Sequence, residues 1–321
     1  MNFRVGKPVL VLIALPWLLS AQTLEEGLTL YRKGSLSEAK KVFEVLLEKD
    51  GKNPEAHYRL GMIHLNPRLR DVDKAVEHME EAVDLSPDNA DYQYGLGAAY
   101  GTEAQSAGVF RQALLAPKIR KAFERATQLN PKHLEAHIGL AQYFHRAPGI
   151  MGGDTERAWK EAEIIIGLDE VRGRSFKAEL FLSEKKTAEA EKEYKALLVN
   201  KPKEWRAWRG AGNFYLRTER ADDAVAAMKK YVELKPDTAD SFSRLAQACI
   251  LKKDPDQAIA LLNKAFGLDK EFAPAISLLA QAYEMKGQKK EARETYQRLL
   301  ARDLSDNQRK NLEKKINELN N

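Results

Sequence analysis

Cysteine is almost missing from this chain of 321 residues: Cys249 stands alone. No intrachain disulfide can form, and no paired-cysteine metal site exists. The short signatures of catalysis are missing too. There is no Gly-x-Ser-x-Gly, no His-Glu-x-x-His and no lysine-bearing phosphate loop. Strong charge of one sign is also lacking. The 52 Lys and Arg residues face 47 Asp and Glu, a net +5. That balance is too even to point to nucleic acid. Long apolar runs are scarce. The one near the start, Val9–Leu19, is shorter than the ~20 residues a membrane-spanning helix needs, and Pro16 interrupts it.

That run has another reading. Arg4 and Lys7 precede it, and Ser20-Ala21 closes it with small residues. Residues 1–21 are therefore expected to be a signal peptide cleaved before Gln22. No cysteine follows, which argues against a lipid anchor. Loss of Arg4 and Lys7 leaves 50 basic against 47 acidic residues, a mature charge of +3. Export to a periplasm or the cell exterior is the localisation this implies.

What the chain has in quantity is repetition. In Trp205–Thr238, Trp208, Ala211, Gly212 and Tyr215 share one helix face. Ala224, Met228 and Tyr231 share another, and Pro236 ends the unit. Residues Ala239–Phe272 and Ala273–Asp306 repeat the register without gaps. Earlier copies start with Leu24 and Gly27, with Leu60 and Gly61, with Leu96 and Gly97, and with Leu140 and Ala141. A weaker copy, Val171–Glu204, keeps Ala178, Phe181, Ala190 and Tyr194; Gly173 intrudes there, as a flexible joint would allow.

The pattern resembles the tetratricopeptide repeat, a helix–turn–helix of about 34 residues. Ala211 departs from it by replacing a leucine. The resemblance implies an all-α, right-handed superhelical solenoid of about eight repeats over residues 22–306. The segment 307–321, with Leu312, Ile316 and Leu319, reads as a capping helix.

Two insertions break the register. Between Tyr100 and Ile119 the third repeat carries about ten extra residues, near 101–118. They read as two lengthened helices around Gly108, each longer by roughly 7 Å, with Pro117 kinking or starting the second. The fourth repeat is interrupted at 147–154 by Ala-Pro-Gly-Ile-Met-Gly-Gly-Asp. Gly149, Gly152 and Gly153 permit a tight path, and Asp154 can cap the next helix. This loop is expected to be a structural turn stapled by Ile150 and Met151, with a partner-binding loop as the alternative. Residues 90–170 are similar to a set of exported bacterial repeat proteins of unestablished activity.

His57, His64 and His137 fall at positions where the repeat packs a ring inward, so core packing is expected rather than metal binding. His133 and His137, four apart, are the weak metal candidate. No metal or cofactor is expected. The resemblance also implies a concave groove lined by first helices, at the second, fifth, ninth, twelfth and thirteenth residues of each repeat. Those positions assemble Gln142, Arg146, Arg172, Arg206, Arg209, Asn213 and Arg217. Arginine forks suit carboxylates and carbonyls of an extended segment. Some family members clamp a chaperone's C-terminal carboxylate; Arg209 and Asn213 imitate part of that set. Arg244, Pro274 and Leu278 depart from it, so the clamp is absent.

The function expected is a non-catalytic scaffold of the bacterial cell envelope, holding a protein partner's peptide or helix, an acidic segment included. Nucleic acid and stable membrane insertion are not expected. The alternatives are a transporter-associated receptor for a small ligand and an enzyme using the 147–154 loop.

Overall fold

The structure, a computed structural model, describes residues 15–302, 304 and 306–319, with side chains from 24 onward except at 306. The side chains of the expected leader and its cleavage point lie outside the described residues. Among the described residues there are seventeen α-helices, one short 3-10 turn and no strand. Two compact units divide the chain at Asp169 and Glu170.

Unit 1 holds four hairpins. They are α1 Leu15–Arg32 with α2 Leu36–Lys49, α3 Pro54–His64 with α4 Val72–Leu85, α5 Ala90–Ser106 with α6 Val109–Leu129, and α7 Leu134–Arg146 with α8 Thr155–Leu168. Unit 2 holds four more and a final helix. They are α9 Glu170–Ser183 with α10 Thr187–Asn200, α11 Trp205–Arg217 with α12 Ala221–Leu234, α13 Ala239–Leu251 with α14 Pro255–Leu268, and α15 Ala273–Met285 with α16 Lys289–Leu300, then α17 Asp306–Glu318.

Local chemistry sets the helix ends. Asn53, Asp71, Asn89, Asp154, Thr238 and Asp254 each accept a backbone N–H from the first turn of the helix they precede. Pro54 and Pro255 occupy first helical positions, where no N–H is needed. Between paired helices the chain turns through a left-handed residue at one repeat position: Gly34, Lys185, Glu219, Lys253 and Gly287. Three of these carry a side chain, at roughly 1–2 kcal/mol each.

One packing rule recurs in four hairpins. There the second helix aims a large side chain at a glycine of the first helix, where no Cβ fits. A Cβ on Gly27 would lie 2.6 Å from the Phe43 ring, one on Gly61 2.8 Å from Met79, one on Gly97 2.7 Å from Phe123, and one on Gly212 2.6 Å from Met228. Where the glycine is replaced, alanine stands there, fully buried, at Ala141, Ala178, Ala246 and Ala280. The same large side chain also meets the next hairpin. Met79 lies 2.6 Å from a Cβ on Gly95, and Phe123 lies 2.6 Å from one on Gly139. Each is thus gripped by two first helices. At the far end of unit 2, Ile316 of α17 packs with Ala280 and Tyr296, closing the apolar end of the last hairpin.

The third hairpin is long: α5 has 17 residues and α6 has 21, where α7 has 13 and α8 has 14. Pro117 lies inside α6, which begins eight residues earlier, so it does not start the arm. Its missing N–H deprives the Ala113 carbonyl of a partner. Ala113 and Pro117 are both exposed, so water can serve that carbonyl.

The 147–154 loop is a tight turn, with Gly149–Met151 in a single 3-10 turn. Gly152 is left-handed at φ 89°, and a Cβ on Gly153 would strike the Ala147 carbonyl at 1.8 Å. The Tyr143 hydroxyl donates to the Met151 carbonyl, and Asp154 N–H donates to the Phe144 carbonyl at 2.9 Å. Ile150 staples nothing: it is 96% exposed. Backbone bonds and the Tyr143 hydroxyl hold the turn, and they leave its apolar tip outward.

A rigid ring between two glycines makes a measurable prediction. Gly139→Ala should destabilise the chain by about 1–3 kcal/mol in denaturant unfolding, because Phe123 has nowhere to go. Gly101→Ala, whose Cβ meets nothing within 4 Å inside α5, should stabilise by about 0.5–1 kcal/mol. Shifts of the same sign for both would disprove the packing rule.

Candidate functional site

Four of the expected groove residues, Arg206, Arg209, Asn213 and Arg217, come from α11 in unit 2. Spacings of three, four and four set them on one side of the helix. Arg206 bonds back to Glu204, the residue capping α11, with Nε 3.0 Å from Oε1. Arg209 reaches across to α13, its Nε 3.0 Å from Asp240 Oδ2. Arg217 reaches the other way, to Glu179 on α9. Arg244 joins at Asp240 Oδ1, 3.4 Å away, and the Tyr231 hydroxyl donates to Oδ2 at 2.9 Å. That bond and burial both push the Tyr231 phenol up to about 12.

The arginines therefore reach the surface already paired. Arg172, on α9 of the same unit, is half-buried and also engaged. Gln142 and Arg146 lie one turn apart on α7 of unit 1, both exposed, and Arg146 has no ion-pair partner among the described residues. The pairs of α11 are solvent-accessible, with arginine exposures of 40–53%. Such pairs contribute about 0–1 kcal/mol, so an incoming carboxylate can exchange into them. Arg209 and Arg244 share Asp240, while Arg206 meets Glu204 and Arg217 meets Glu179. One position differs in kind: Asn213 Oδ1 is buried and accepts no hydrogen bond.

Sequence reasoning named the cations and missed the anions. The positional rule that selected the arginines selects Asp240 as the second residue of its repeat and Glu179 as the ninth of the weak one. Neither was counted, because a carboxylate among many draws no notice until its partner is seen.

The histidines are structural. His57 Nε2–H donates to the Gly51 carbonyl at 3.1 Å and His137 Nε2–H to the Pro131 carbonyl at 3.0 Å. Trp208 Nε1–H makes the same bond to Pro202 at 2.8 Å, and Gln93 Nε2–H to Pro87 at 2.9 Å. In all four the acceptor lies six residues earlier. In these four repeats an N–H donor ties the helix to the preceding turn, and three side-chain types supply it; Phe242 and Ile276 hold the same position without a donor. His133 instead caps α7, its Nδ1 accepting from Ala136 N–H at 3.1 Å. Among the described residues no group of three or more His, Cys, Asp or Glu is placed to hold a metal ion.

Two families of histidine titrate in opposite directions. His137 donates through both ring nitrogens, the second to Glu161 at 2.7 Å, and that bond raises its value. His64 and His78 stack with centroids 5.9 Å apart, and both are lowered, chiefly by burial; His78 falls to about 4. Cys249 is buried, its thiol donating to Gln257 Oε1 at 3.0 Å and raised by burial to about 11, so it is a core residue.

Models described as "Tetratricopeptide repeat" match residues 24–66, 68–118, 177–239, 215–274 and 250–316. The chain belongs to the tetratricopeptide repeat family, whose members are in general protein-interaction scaffolds. Among curated proteins it is similar to a "Peroxisomal targeting signal receptor" of Candida albicans, 23% identical over 70% of this chain. It is also similar to "Peroxisome biogenesis protein 5" of Arabidopsis thaliana, 26% identical over 40% of this chain. It spans only 37% and 20% of their lengths. Among solved structures, yeast Tom70 matches with a TM-score of 0.73 at 16% identity, over 94% of this chain and 64% of that one. A tetratricopeptide repeat protein of Parabacteroides merdae matches at 0.58 and 17%, over 82% and 98%. These likenesses are of fold. No helix among the described residues is long and apolar enough to cross a membrane.

The histidines predict a pH response. Between about pH 6.5 and pH 4 the unfolded chain takes up protons that folded His64 and His78 refuse, so stability falls as pH drops. His137 acts oppositely: its contribution is complete below its ordinary 6.5 and is lost as pH rises through its raised folded value. In thermal melts, His78→Gln should flatten the acid limb. His137→Gln keeps a donor for Pro131, as Gln93 does for Pro87, and should flatten the other limb. A His78→Gln protein with the parent's acid limb would refute the assignment.

Proposed function

We propose that the chain is a non-catalytic scaffold that holds an extended, carboxylate-bearing segment of a partner protein along the α11 face of unit 2. The observation that carries this is the unpaired, buried Oδ1 of Asn213 among arginines whose ion pairs are exposed. An acceptor without a donor costs about 1–3 kcal/mol, and turning the Asn213 amide outward to a backbone N–H of an extended segment removes that deficit. The segment's carboxylates exchange with Asp240 and Glu179 for Arg209 and Arg217. The solvent-accessible arginines of this face favour an acidic segment over a basic one. A relative named as a receptor for a targeting signal supports binding of a short chain segment. We place the scaffold outside the cytoplasm, in a bacterial envelope, on the strength of Arg4, Lys7 and the apolar run that follows them.

The test uses an array of extended peptides, acidic against neutral. The parent should retain acidic peptides, less so with added salt. Arg209→Glu with Arg217→Glu should weaken retention at least tenfold, and Asn213→Ala should weaken acidic and neutral peptides alike. Equal retention of both classes by parent and charge-reversed protein would overturn the proposal.

A further inference from the structure

The largest exposed apolar side chains of unit 1 do not scatter. Val109, Phe110 and Leu114 are 68%, 92% and 65% exposed, and all lie in the first two turns of α6. With exposed Ala113 and Pro117 they occupy one side of the helix, at i, i+1, i+4, i+5 and i+8. The buried residues Leu115, Ala116 and Ile119 turn the opposite side inward. The first half of α6 is thus apolar on both sides, and only one side is covered. Ile150, 96% exposed, tops the turn at Gly149–Met151, which packs on α6. That turn is held by the Tyr143 hydroxyl on the Met151 carbonyl, so Ile150 is presented rather than loosely hung.

Charge follows the same region. Between residues 109 and 121, α6 carries Arg111, Lys118, Arg120 and Lys121 and no carboxylate. Arg111 and Lys118 meet Glu103 and Glu80 but remain 54% and 53% exposed. Lys121 is exposed, with no ion-pair partner among the described residues. Relative to the hairpin that follows it, this one is longer by four residues in α5 and seven in α6, about 6 and 10 Å.

We propose that the end of the α5–α6 hairpin, with the Ile150 turn, docks reversibly on the surface of an anionic lipid bilayer. The apolar side chains are convex tips, and none lines a cavity described in this structure. A protein partner has to supply a matching hollow for each tip, whereas the acyl boundary accepts convex apolar groups without shape matching. The cations beside them complement anionic headgroups. Val109, Phe110 and Leu114 form a contiguous exposed apolar group on one helix face, and such a group marks an interaction site. The attachment is to the surface, independent of the α11 face, and survives if the peptide reading fails.

The test is co-sedimentation of the full chain with vesicles of phosphatidylglycerol and phosphatidylcholine, against phosphatidylcholine alone. The parent should bind the anionic vesicles, with affinity falling as salt rises. Phe110→Ser with Leu114→Ser should bind at least tenfold more weakly while keeping the parent's circular dichroism. Lys121→Glu should weaken binding to anionic vesicles. Phe110→Trp should add blue-shifted emission when vesicles are supplied. The proposal falls if the parent stays in the supernatant with both vesicles, or if the serine variant binds as the parent does. It also falls if the serine changes abolish self-association of the chain in sedimentation velocity while vesicle binding is unaltered, which would assign the face to a second copy.

Discussion

A side chain gripped by two first helices is the interaction on which this structure depends. Phe123 is in contact range of Gly97 in its own hairpin and of Gly139 in the next; Met79 does the same between Gly61 and Gly95. The glycines let the helix backbones close on the ring or thioether. The shared side chain fixes the spacing of neighbours. No single large core is needed. Stability accumulates hairpin by hairpin, and damage stays local. The same arrangement buries the second-helix side of each first helix and leaves the other side open, which is why α11 can present arginines and Asn213.

A second tie acts at the hairpin entrances. An N–H at one repeat position reaches back six residues to a turn carbonyl, through Trp208, His137, Gln93 or His57. The chemistry of that bond asks for a donor on a flat or amide side chain, not for an imidazole. It accounts for His57 and His137 at that position. It also makes their protonation a structural matter. His137 gains by being charged beside Glu161, and His78 loses by it, chiefly because it is buried, with its Nδ1 3.1 Å from that of His57.

Much of this was legible in the sequence because spacing carries it. Gly212, Ala224 and Met228 announce a close crossing, and repetition at about 34 residues announces its neighbours. The limits were of two kinds. Pairing between repeats is not periodic in any one segment, so Arg209 was read without Asp240 and Arg217 without Glu179. Local conformation was misjudged where hydrogen bonds, not apolar contacts, do the holding. Ile150 looked like a staple and is an exposed tip, and Pro117 sits inside α6 because its exposed turn can leave one carbonyl to water. The apolar outer face of α6 was hidden for a related reason. A helix that is apolar on two sides reads as a well-buried one until its neighbours are in place.

The most direct test of the shared-side-chain account is a double-mutant cycle on Gly139→Ala and Phe123→Leu, followed by denaturant unfolding. If Phe123 is the atom group that Gly139 makes room for, the alanine should lose most of its penalty once the ring is gone, with a coupling of about 1 kcal/mol or more. Additive changes would show that Gly139 is not there for Phe123, and the account of how neighbouring hairpins are held together would be wrong.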